Sequence, residues 1–131
     1  MIIDPSAVLA IMLNEPERAD LIAALARADV VRMSAASYVE IAAVVERRRN
    51  PVLSRRLDEL LDSMGVEVVP FDGEQATIAR GAYRDFGRGS GHRAGLNLGD
   101  CVSYAAAKAG REPLLWVGDD FGQTDVASAR D

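Results

Sequence analysis

The chain has 131 residues, 49% of them apolar and 27% charged, with a formal net charge of −5. That length supports one domain, residues 1–131, burying about 65–70% of its unfolded surface, while the acidic balance excludes a protein that coats nucleic acid through charge alone, since such binding needs Lys and Arg to displace counterions. One cysteine excludes an internal disulfide, no apolar run approaches the roughly 18 residues of a membrane span, and an apolar segment starting at Met1 without a basic stretch before it argues against a secretory leader, so a reducing cytoplasm is the expected compartment.

In chain order, Met1, Ile2 and Ile3 make a minimal apolar strand that ends at Asp4, and a helix follows over residues 5–13. Asn14 is placed to cap a second helix reaching Ala28, because acids follow it and apolar residues recur at helical spacing. A strand over 30–33 leads into a third helix with Tyr38, Ile41, Ala42 and Val45 on its apolar face. Asn50 and Pro51 end that helix. A fourth helix over 52–64 keeps Leu53, Leu57, Leu60, Leu61 and Met64 on one side, and Gly65 is its expected C-terminal stop. A strand over 66–70 and a fifth helix from Asp72 to about Phe86 come next. The glycine-rich stretch 87–95 reads as a long loop without packed structure. A sixth helix carries Asp100 in its first turn, and an apolar strand from Leu114 stops at Asp119 and Asp120. Short buried strands alternating with helices predict a central, mostly parallel sheet of four to five strands covered on both faces; the tail after Phe121 has material for no more than a short edge strand.

Each acid has an ordinary structural reading. Asp4 before Pro5 suits a helix N-cap; Ser37 to Glu40 matches a capping box and Asn97 to Asp100 nearly so; Asp119 and Asp120 suit a polar turn. Their combination points further. Asp4 and Asp120 both follow runs apolar enough to be central strands, and parallel strands deliver their ends to one edge, where open α/β sheets bind ligands. Glu40 lies in line with the apolar face of its helix and is expected to face inward. If Asp4, Glu40, Asp100 and Asp120 converge within about 4–6 Å, each pair repels by roughly 3–4 kcal/mol at an effective dielectric near 20. A cation relieves that repulsion, and an oxygen-only donor set selects Mg²⁺, with Mn²⁺ as substitute, over zinc.

The order and spacing of these blocks resemble PIN-domain nucleases, and specifically the VapC toxins of bacterial VapBC toxin–antitoxin systems. The matching segments are Ile2-Ile3-Asp4-Pro5-Ser6-Ala7, Ser37-Tyr38-Val39-Glu40, Leu96-Asn97-Leu98-Gly99-Asp100-Cys101 and Leu114-Leu115-Trp116-Val117-Gly118-Asp119-Asp120-Phe121. Pro5 and Gly118 stand where the family often has Thr, and Asp119 competes with Asp120 for the fourth acidic position; Asp120, two residues past Gly118, is preferred. The resemblance implies a PIN-like three-layer sandwich and a metal-dependent endoribonuclease. In it Asp4 and Asp100 bind Mg²⁺ directly, while Glu40 and Asp120 complete the shell partly through water. It also implies an RNA substrate, inhibition by a VapB-type antitoxin, and a homodimer.

Arg80, Arg84 and Arg88 form a basic stripe that runs into His92 and Arg93. It is either a solvated face or, ending beside the acidic helix, an RNA-backbone contact through Arg88 and Arg93. Ser6 is placed either to bond a carboxylate or phosphate or simply to cap its helix. His92 is expected to be a solvated loop residue. Two alternatives remain: a non-catalytic PIN-like binding module, and an aspartate phosphoacceptor or phosphatase fold. The latter needs a lysine near the last strand, and the chain's one lysine, Lys108, is on a helix.

Overall fold

The computed structural model describes residues 1–131. Four very short strands, β1 (Ile2–Ile3), β2 (Arg32–Ser34), β3 (Glu67–Val69) and β4 (Leu114–Leu115), form a parallel sheet in the order β3-β2-β1-β4. Around it lie α1 (Pro5–Met12), α2 (Arg18–Arg27), α3 (Ala35–Glu46), α4 (Pro51–Ser63), α5 (Gly73–Phe86) and α6 (Leu98–Gly110).

Successive strand residues point to opposite faces, and this sorts the core into two halves. Ile3, Met33 and Leu115 enter one core with Val8, Ile11, Leu21, Ile41 and Leu57 from α1 to α4. Ile2 and Leu114 enter the other with Leu96, Cys101, Tyr104 and Phe121. Each large apolar side chain so buried contributes roughly 1.5–3 kcal/mol, which is how strands of two residues persist: burial on both faces holds them. The result is the expected three-layer α/β sandwich. The sheet stays at four strands, because the tail adds to β4 only one parallel bridge, Leu114 with Ser128.

Several local expectations shift. Asn14 does not cap α2: it sits at φ 54° in the turn after α1, and α2 begins at Arg18 behind Glu17, which makes no side-chain cap bond. Strand β2 starts two residues later than expected and ends one later, so that Ser34 ends the strand and caps α3 by accepting from the Ala36 amide at 3.3 Å. Ser37 is therefore inside the helix, not at its cap. The buried stripe of α3 is Ser37, Ile41 and Val45, while Tyr38 and Glu40 are exposed. The 87–95 loop is not structureless: a bridge joins Gly87 and Leu96, Arg88 donates to the Leu96 carbonyl (3.0 Å), and Ala94 and Leu96 are buried. No helix is long and apolar enough to cross a membrane.

The start of α6 is held by a reciprocal capping box. The Asn97 side chain accepts from the Asp100 amide at 2.8 Å, and Asp100 Oδ2 accepts from the Asn97 amide at 3.0 Å. Asn97→Ala removes one half of it and is expected to cost about 1 kcal/mol, a fall in Tm of roughly 3–6 °C by thermal denaturation.

Candidate active site

The four acids arrive from four separate segments at the carboxyl edge of the sheet. Asp4 directly follows β1, its amide bonded to the Leu115 carbonyl of β4 at 2.9 Å, and it caps α1 by accepting from the Ser6 amide through Oδ2 at 2.9 Å. Its other oxygen, Oδ1, accepts from Ser103 Oγ of α6 at 2.5 Å. Asp4 is only 4% exposed. Glu40 projects from the second turn of α3, and Asp100 stands in the first turn of α6. Asp120 lies in the turn after β4, between Trp116 and Phe121, whose rings meet at 5.5 Å; the Trp116 indole N–H donates to the Gly118 carbonyl (3.0 Å) and braces that turn.

The charges of these acids reach one another. Burial raises the Asp4 carboxyl above its usual range, against the lowering effect of the bonds from Ser103 and Ser6. Glu40 is exposed as a residue, but partial desolvation of its carboxyl raises it as well, with the charges of Asp4 and Asp100 adding to it. Asp100 is pushed up to about 6, first by burial and then by Asp4 and Asp120, while the Asn97 amide and Arg88 pull it down. Asp120, not Asp119, thus bears on Asp100, and Arg88 is the one basic residue whose charge does. No group of three or more Asp, Glu, His or Cys side chains is arranged to hold a metal ion as it stands. Asp4 accepts from protein donors on both oxygens and Asp100 on one, which leaves each carboxylate with further lone pairs.

Both helix-cap readings are correct for Asp4 and Asp100, but neither residue is only a cap, because Asp4 also bonds across the chain to Ser103 and both acids feel the others. Ser6 does something not foreseen: its Oγ accepts from the Val117 amide at 3.1 Å, tying the start of α1 to the strand that leads to Asp120. Its hydroxyl also helps to hold the Asp4 carboxyl down. Arg93 is exposed and unpaired, Arg84 pairs with its neighbour Asp85 at 2.9 Å, and α5 ends before Arg88, so the basic stripe does not continue as one helix face. His92 is not a solvated loop residue; its ring packs edge-on against Phe86 at 5.0 Å and its Nδ1 accepts from the Ala94 amide at 3.1 Å, pinning the loop.

Sequence reading missed two buried hydroxyls. Ser103 has one hydrogen, given to Asp4, so Ser37, 3.3 Å away, is the donor in their bond. The chain Ser37, Ser103, Asp4 runs beneath the site, and its only sequence signal is a serine among the small residues of α6 one turn from Asp100. Cys101 is free and buried, and that burial pushes its thiol up to about 11. The phosphoacceptor alternative loses its lysine: Lys108 pairs with Asp125 at 3.0 Å, which also accepts from the Tyr104 hydroxyl at 2.7 Å.

The family model for the PIN domain matches residues 1–127. Ribonuclease VapC28 of Mycobacterium tuberculosis is 56% identical over 131 residues, covering all of this chain and 98% of the relative. Ribonuclease VapC of Mycolicibacterium smegmatis is 48% identical over 128 residues, covering 98% of each. Among solved structures, Mycobacterium tuberculosis VapC20, described as a sarcin–ricin loop cleaving toxin, superposes with a TM-score of 0.72 at 16% identity, covering 96% of this chain and 95% of that one. A toxin–antitoxin complex from Klebsiella pneumoniae gives 0.70 at 16% identity, covering 99% and 97%. With the family model matching residues 1–127 and its whole length shared with these relatives, the chain belongs to the PIN-domain family, among the VapC ribonucleases.

Proposed function

We propose that the protein is a Mg²⁺-dependent endoribonuclease, with Mn²⁺ able to substitute, acting as the toxin of a type II toxin–antitoxin pair. The observation that carries this reading is where the fold puts four carboxylates from distant segments: Asp4 directly after β1, Asp120 in the turn after β4, Asp100 in the first turn of α6, and Glu40 of α3 against Gly99, the neighbour of Asp100. Such a set suits a hard cation in charge and donor type. Mg²⁺ takes only one or two direct carboxylates and keeps waters, so Asp4 and Asp100 are assigned as direct ligands through their uncommitted lone pairs, with Glu40 and Asp120 holding its waters. When bound, the ion supplies an activated water and charge stabilisation at the phosphate.

The chain's own residues do the rest. Ser103 and the Ser6 amide fix the Asp4 carboxylate in one orientation, and the capping box does the same for Asp100. Arg88 offsets part of the local negative charge; it and Arg93, exposed on the same loop, are the residues proposed to receive the RNA backbone, and Ser6 is proposed as a further contact to carboxylate or phosphate. The relatives' ribonuclease names support RNA as substrate. A VapB-type antitoxin and a second copy of the chain are the proposed partners, and the cytoplasm the proposed compartment.

The test is cleavage of RNA by purified protein. Cutting is expected with Mg²⁺ or Mn²⁺ and is expected to stop with EDTA. Asp120→Asn should lower the rate by about 10²-fold or more, and Asp119→Asn by less than about threefold, since of these two neighbours Asp120 is the one whose charge acts on Asp100. Intact RNA under all conditions would instead support the non-catalytic binding module, and cutting that persists in EDTA would remove the metal from the reading.

A further inference from the structure

Glu40 makes no hydrogen bond to any protein donor, and its carboxylate lies directly against Gly99, in the first turn of α6. A Cβ placed on Gly99 would stand 2.6 Å from Glu40 Oε2 and 2.7 Å from its Cδ, inside any permitted contact. Gly99 is not at a backbone conformation that demands glycine, being absent from the positive-φ residues of the chain. Nor is it a helix stop, since α6 runs on to Gly110. Neither of the usual reasons for a glycine applies, and a helix disfavours one there. What remains is space. The missing side chain is the slot that lets a glutamate from α3 reach the acid that follows Gly99 in sequence.

We propose that Gly99 is a positioning residue for the Glu40 carboxylate, setting it against Asp100 at the start of α6 in the nuclease site. The inference rests on the ribonuclease reading above and adds a residue with no functional side chain to the machinery. Because the group that a methyl would strike is the end of a flexible side chain, Gly99→Ala does not threaten the fold. The alanine suits a helix better, and Glu40 swings away toward solvent. The defect therefore falls on the site alone. Displacing a positioned group by about 1 Å is enough to slow an enzyme by up to about 10²-fold.

The experiment compares the parent with Gly99→Ala, Glu40→Gln, the double variant, and Gly73→Ala as a control glycine whose Cβ would meet nothing within 4 Å. Gly99→Ala is expected to cut RNA about 10- to 100-fold more slowly with Tm equal to or above the parent, and to bind Mn²⁺ more weakly by titration. Adding it to Glu40→Gln should slow cleavage by less than about twofold further, since both changes remove the same group. Gly73→Ala should match the parent. Parent-like cleavage and Mn²⁺ affinity in Gly99→Ala beside a crippled Glu40→Gln would overturn this inference and leave the nuclease reading standing; so would full additivity of the two changes, which places the effect of Gly99 elsewhere. Parent-like cleavage in Glu40→Gln would remove Glu40 from the site and this inference with it.

Discussion

Asp100→Asn is expected to cleave RNA at least about 10³-fold more slowly than the parent in saturating Mg²⁺, and at the same time to melt at a higher temperature. The two effects come from one group. Asparagine keeps an oxygen for the Asn97 amide, so the capping box that starts α6 survives the change. What it deletes is a negative charge held beside Asp4 and Asp120, whose repulsion contributes to raising Asp100 to about 6. Removing a repelled charge stabilises the fold while removing an assigned metal ligand. Asp4→Asn is a poorer test, because Asp4 accepts hydrogen bonds on both oxygens and an amide accepts on only one; its Tm mixes lost bonds with relieved burial. The measurements are initial rates on a defined RNA and a thermal melt without divalent ions. Parent-like cleavage by Asp100→Asn would remove Asp100 from the site, and a Tm below that of the parent would mean that its charge is structurally favourable.

Asp4, Asp100 and Asp120 were legible because their signals are local. A carboxylate after an apolar strand, or in the first turn of a helix, announces its place in a few consecutive residues, and parallel topology brings strand ends together. Glu40 was legible in position but not in posture: β2 runs later than its apolar pattern suggests, the buried stripe of α3 moves from Tyr38 to Ser37, and the glutamate ends up exposed and resting on Gly99 instead of pointing inward. The Ser103 bond to Asp4 spans 99 positions; no periodicity encodes such a pairing, because a buried hydroxyl is chosen by what faces it in space. Gly118 carries the opposite lesson. It stands where the family often has threonine, and its φ of 106° puts it where a β-branched side chain is strained. The turn that presents Asp120 is built on a glycine backbone and braced by the Trp116 indole N–H, which donates to the Gly118 carbonyl.

Without a divalent cation, the protein is expected to be less stable near pH 7.5 than near pH 5, and Mg²⁺ to reverse most of the difference. The sign follows from the site acids. Asp4, Glu40 and Asp100 all have folded-state pKa values raised above those of exposed carboxylates, Asp100 to about 6. Between roughly pH 4 and pH 6 the folded chain therefore holds protons that the unfolded chain has released, and its stability falls as pH rises through that window. Asp85 and Asp125 are shifted the other way, so the stability they contribute is lost only as pH falls below about 4, outside the compared range. A cation that binds the ionised carboxylates competes with their protons. For a site of about millimolar affinity, about 10 mM Mg²⁺ contributes about 1.4 kcal/mol near pH 7.5, a rise in Tm of roughly 4–6 °C, and less than half of that near pH 5. In Asp100→Asn both the pH slope and the Mg²⁺ response should shrink together, because they arise from the same charge. An equal Mg²⁺ response at both pH values, or one undiminished in Asp100→Asn, would place the ion somewhere other than among these four carboxylates.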